Sequence, residues 1–111
     1  MMKMPMSASA SALLRALVAR SGVERNRILL TETRSIDWQS LTFAGERHQI
    51  CLRVTGIDSG EIAGRICDGL EEAEFNIPGL VVADVTLVGA PRTAQDGATE
   101  LSIEALTILN D

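Results

Sequence analysis

"SIDWQSLTFAGERHQICLRV", residues 35–54, decides the fold, because it reads as two strands turning back on each other. In its second half Ile50, Leu52 and Val54 alternate with Gln49, Cys51 and Arg53, the period of two that marks a strand with one buried face. His48 shares the parity of Ile50 and so points toward the core near the strand's start. Ala44-Gly45-Glu46 separates this strand from "DWQSLTF", and Gly45 is free to take the positive φ of a tight hairpin. A turn there sets Phe43 nearly opposite Arg47 and Leu41 nearly opposite Gln49. "RILLTE", residues 27–32, is a further strand candidate just upstream.

Helices flank these strands. Ala10, Leu13, Leu14, Leu17 and Val18 recur at helical spacing and predict a helix over residues 8–20, capped by Ser9 or Ser11 and stopped at Ser21-Gly22. "TGIDSGEIAGRICDGLEEAEF", residues 55–75, carries the second helix, with Asp58 and Glu61 at capping-box spacing and a stripe of Ile62, Ile66 and Leu70. Gly60, Gly64 and Gly69 weaken it and suggest a close approach to another backbone. "NIPG" at 76–79 breaks the chain. "LVVADVTLVG" at 80–89 reads as a nearly fully buried central strand with Asp84 its one charge. Residues 90–98 form a polar connection, either a long hairpin loop or a mobile recognition loop. The last strand is "TELSIEALTIL", residues 99–109, with Leu101, Ile103 and Ala105 inward.

The expected fold is therefore α+β: a two-layer sandwich in the order α-β-β-α-β-β, with a largely antiparallel sheet of four or five strands and two helices on one face. All 111 residues form one domain, with residues 1–7 a disordered start. Lys3 and the small residues after it resemble a secretion signal, but Arg15 interrupts a stretch too short and Ala-rich to span a membrane. Cys51 and Cys67, with no CxxC spacing, read as reduced thiols, so the expected location is cytoplasmic.

Composition narrows function. Aromatics make up only 3% of residues, which disfavours the stacking platforms of carbohydrate and single-strand nucleic-acid sites. A net charge of −5 with no Lys/Arg run argues against sequence-independent nucleic-acid binding. Charge is uneven: residues 1–55 carry eight basic residues against four acids, and residues 56–111 carry two against eleven. Each half either solvates its own surface or meets the opposite half of another copy, a head-to-tail contact that closes into a ring if the rotation allows.

No catalytic motif is present: no GxSxG, P-loop, HExxH or GxGxxG. Trp38, Phe43 and His48 lie within eleven residues, either around a pocket with His48 as acid or base or simply as cross-strand pairs. His48 and Cys51 leave opposite faces of one strand, and Cys67 fills a helix stripe, so a metal site is not expected. Glu71, Glu72 and Glu74 offer a solvated helix end or a docking surface for a basic partner. Asp84, in its apolar run, either pairs with an arginine or sits near a sheet edge. No catalytic, metal or cofactor residue is assigned.

"DWQSLTFAGERHQICLRV", then "EIAGRICDGLE" and "IPGLVVADVTL", resembles the small tail-completion, or tail-terminator, proteins of phages, prophages and gene transfer agents. Asp37, Trp38, Ser40, Thr42, Gly45, Glu46, Arg47 and His48 match the family's polar segment, glycine turn and "RH" strand; Ile66, Leu70, Pro78 and Gly79 match less specifically. The segment between the first helix and first strand is shorter than in the phage tail members. The resemblance implies a non-enzymatic structural protein that self-associates into a ring, commonly of six copies. That ring caps the tail tube at the junction with the head, so the partners are the tube and head-tail connector proteins, and the protein passes from host cytoplasm to the particle's tail. On that reading Arg47 and Arg53 lead the candidate interface, with Trp38, Arg92 and Asp96 beside them. Reversing the charge of Arg47 and Arg53 together is expected to block assembly and leave the fold intact. The rival readings are a small dimeric α+β ligand-binding or regulatory module, with a concave pocket, and a small enzyme using His48.

Overall fold

The structure is a computed structural model that describes residues 6–110. Its elements are α1 (Ala8–Ser21), β1 (Ile28–Gln39), β2 (Ala44–Val54), α2 (Ser59–Cys67), β3 (Leu80–Leu87), β4 (Arg92–Thr93) and β5 (Thr99–Leu109). All strand pairs are antiparallel, in the order β1-β2-β5-β3, with β4 extending the β3 side of β5. The chain is thus the expected α+β arrangement.

Alternation builds the core. His48, Ile50, Leu52 and Val54 of β2 share a face with Leu101, Ile103 and Ala105 of β5 and Val85 of β3. Leu13, Leu14 and Leu17 of α1 and Ile62, Ala63 and Ile66 of α2 pack on that face in one aliphatic cluster. Each fully buried Leu or Ile contributes about 2 kcal/mol through removal from water. The helices also lock each other. Arg20 of α1 donates to the carbonyls of Ile66 (3.1 Å) and Asp68, while Arg65 of α2 donates to that of Ser21 (2.7 Å). Each arginine satisfies carbonyls that the other helix's last turn leaves without an internal partner.

Several expectations change. Residues 1–5 lie outside the described range, but Met6 packs against the core and Ser7, not Ser9 or Ser11, caps α1 through the Ala10 amide (3.1 Å). The two upstream strand candidates are one strand, kept in phase by a bulge at Thr31. The hairpin turn is Ser40–Phe43, closed by a bond from the Ser40 amide to the Phe43 carbonyl (2.9 Å). Arg47 therefore faces Ile36, and Gln49 faces Arg34, instead of Phe43 and Leu41. Gly45 lies inside β2 because its backbone runs against β5: a Cβ there would overlap the Thr107 carbonyl oxygen and sit 2.9 Å from its carbon.

The second helix is shorter than 55–75. Gly69 turns left-handed (φ 64°) and feeds a 3-10 turn at Leu70–Glu72, so Leu70 still reaches the core from a separate element. The Asp58 carboxylate pairs with Arg27 and makes no capping bond. Gly60 and Gly64 approach no other backbone; a Cβ at either would meet open space. Finally, β3 is an edge strand and not a buried central one. A bulge at Ala83 leaves Asp84 exposed, and β5 takes the interior position because it pairs on both sides.

Candidate protein–protein interface

Both helices cover one face of the sheet, so the other face has no layer over it. Register places five rows of side chains there. Trp38, Gly45, Ile108 and Val81 form the row nearest the hairpin turn; Ile36, Arg47, Leu106 and Asp84 form the next. Arg34, Gln49, Glu104 and Thr86 follow, and then Glu32, Cys51 and Ser102. Near the opposite end stand Leu29, Arg53, Glu100 and Arg92.

The far row satisfies itself. Arg53 pairs with Glu100 (3.2 Å) and with Asp96 from the β4–β5 turn, and Arg92 also pairs with Glu100. Hydrogen bonds from Arg92 and Arg53 hold the Glu100 carboxyl below its ordinary value, and Glu100 raises Arg92 in turn. Beneath this row the Ser59 hydroxyl donates to the Gly97 carbonyl (2.8 Å) and meets Thr99 (2.8 Å), fixing the turn to α2. Three of the four ion pairs among the described residues join a first-half arginine to a second-half acid. Part of the charge asymmetry thus cancels within one chain.

The hairpin end is the reverse. Leu41 is fully exposed and Phe43 more than half exposed; Ile36, Val81 and Leu109 are exposed near them. Arg47 and Asp84 share a row but enter no ion pair among the described residues. On the helix side Asp37 and Glu46 face each other across the hairpin. They line a cleft of about 530 Å³ with Ser9, Thr107 and Leu109.

The candidate residues fall into two groups. Arg53, Arg92 and Asp96 meet in the far network, whereas Trp38 and Arg47 stand in adjacent rows at the hairpin end. Arg47 and Arg53, six residues apart on β2, are separated by about 20 Å. Reversing Arg53 would set three acids together, so Arg47 alone is the substitution that leaves local pairing intact. Glu100, which joins both arginines, is not marked by local pattern, because Arg53 lies far upstream and meets it only through the pairing of β2 with β5. Leu41 and Phe43 were hidden by the turn placement, although two apolar residues in "SLTF" are an unusual turn composition.

The three rings do not converge. Trp38 is on the open face, Phe43 is in the turn, and His48 is buried at 3% exposure. His48 Nδ1 meets Ser35 Oγ at 2.7 Å and Nε2 meets Thr107 Oγ1 at 2.8 Å, a polar chain across β1, β2 and β5. Burial lowers its pKa, with the Glu46 charge opposing in part, so the ring is neutral, donating from one nitrogen and accepting at the other. Cys51 lies on the open face and Cys67 at the end of α2, where burial raises its thiol pKa. Glu71, Glu72 and Glu74 are exposed around the 3-10 turn. Among the described residues, no group of three or more His, Cys, Asp or Glu is placed to hold a metal, and no helix is long and apolar enough to cross a membrane. Neither protein-family models nor curated proteins match this chain.

Proposed function

We propose that this chain is a structural subunit that assembles with copies of itself into a ring and completes the tail of a phage or gene-transfer-agent particle at its junction with the head. One observation carries the reading: of the eight large apolar side chains exposed among the described residues, five (Ile36, Leu41, Phe43, Val81 and Leu109) gather at the hairpin end of the sheet. Trp38, Ile36, Leu106, Ile108 and Val81 share the uncovered face there, beside Arg47 and the exposed Leu41 and Phe43. An uncovered antiparallel face on a monomer is ordinarily polar, and clustered apolar residues rimmed by charge mark a protein contact. The resemblance in residues 37–48 supplies the particle and the ring; on this reading the tube and connector are further partners, and the chain passes from host cytoplasm to the particle tail.

Light scattering across a concentration series, with negative-stain imaging, tests the assignment. A closed multimer that Arg47→Glu dissociates without loss of fold supports it. A chain that stays monomeric at every concentration, alone and with tube protein, rejects it. The cleft lined by Asp37, Glu46, Ser9 and Thr107 favours the second reading, a dimeric module for a small cationic ligand. A concentration-independent dimer would select that reading.

A further inference from the structure

We propose that the tip of the β1–β2 hairpin docks into an apolar groove on α1 of a second copy of this chain. This rests on the self-assembly reading above and names the two surfaces that each copy contributes. The tip presents Leu41 and Phe43 to solvent, held in one turn by bonds from the Phe43 amide to Ser40 Oγ (3.0 Å) and from the Ser40 amide to the Phe43 carbonyl (2.9 Å). Such a pre-shaped turn loses little freedom on binding, and two large apolar side chains are suitable anchors. The groove is about 310 Å³, floored by Leu14, Val18 and Ala19 and rimmed by Arg15 and Arg25.

A chain cannot fill its own groove this way. Arg25 lies just before β1 and the tip just beyond it, so the 12-residue strand holds them about 36 Å apart. Charge selects the occupant. Asp37 and Glu46 flank the base of the tip as direct cross-strand neighbours, and like charges so placed destabilise each other. Neither acid enters an ion pair among the described residues, nor do Arg15 and Arg25. Seating the tip between the two arginines brings two unpaired acids toward two unpaired cations, which sets both partner and orientation. Tip and groove are different surfaces, so the contact is head-to-tail, and repetition closes a ring or extends a filament.

The test uses the full chain. Leu41→Glu/Phe43→Glu alters only exposed residues and should keep the wild-type unfolding midpoint while the scattering mass falls to that of the 11.9 kDa chain. In a background of Cys51→Ser and Cys67→Ala, copies carrying Leu41→Cys are mixed with copies carrying Ala19→Cys and oxidised. A disulfide-linked heterodimer, several-fold in excess of either homodimer, is the expected product. If the wild type assembles and the Leu41→Glu/Phe43→Glu variant assembles equally well, or the mixture yields no heterodimer, the contact is wrong while self-assembly stands. If the wild type never assembles and no cross-link forms, both fail.

Discussion

The two ends of the sheet solve the same problem in opposite ways. In the last row at the far end each charge has a partner inside the chain: Arg53 and Arg92 share Glu100, and Asp96 completes the set. At the hairpin end Arg47, Asp84, Asp37 and Glu46 have none among the described residues, and apolar side chains lie exposed between them. The strands are the same, so sheet architecture does not account for the contrast. A row that pairs its own charges can face water unaided; one that leaves them unpaired beside several exposed apolar side chains is suited to a partner.

Three substitutions probe that contrast. The largest effect is expected from Gly45→Ala, which drives a methyl into the Thr107 carbonyl and wedges β2 from β5 at the hairpin end. A loss of about 3 kcal/mol is expected by urea unfolding, at the upper part of the range for overpacking. A loss under about 0.5 kcal/mol would mean that the hairpin end is not rigidly joined to the sheet. His48 comes next. Its folded pKa lies below the ordinary 6.5, so the unfolded chain takes up the proton first as pH falls. Stability is complete above that value and declines as pH drops from it toward the folded pKa. His48→Gln should flatten the change in urea midpoint between about pH 7.5 and about pH 5.5; equal slopes would place the titrating group elsewhere. The smallest effect belongs to Arg53→Ala, which removes two partly exposed pairs, with Asp96 and Glu100, from the far network. It should cost less than about 1 kcal/mol, and less again in high salt. A greater loss would show that the far end depends on its charges for folding, not only for a neutral surface.

Local pattern made much of this legible. The alternation at Ile50, Leu52 and Val54, the leucine stripe of α1 and the inward histidine all follow from side-chain period, and each is found in the fold. The errors arose where glycine has more than one use. Gly45 reads as a turn residue yet serves close strand packing, which moved the turn and concealed the exposed tip. Gly69 reads as a helix interior, but α2 stops at Cys67 and Gly69 turns left-handed into the separate 3-10 turn. The apolar run of β3 resembles a central strand, but position within a sheet depends on which strands pair, and no local property of residues 80–89 encodes that. For the same reason the meeting of Arg53 with Glu100 and Asp96 was invisible before the pairing of β2 with β5 was known.

The interior place of β5 has a consequence for how the fold is acquired. Among the described residues, 99–109 form the strand that joins the β1–β2 hairpin to β3, and their partners in β2 lie 45 to 63 positions earlier in the chain. During synthesis the hairpin emerges early, with one edge of β2 bare, and waits for about half the protein to follow. Contacts of such long range close slowly, because a large loop must be ordered before any of them forms. Through that interval Ile50, Leu52 and Val54 lack the strand beside them, and the neighbouring copies most able to supply one are other nascent chains. A strand from a neighbour that reached that edge first would compete with residues 99–109 for the same backbone groups.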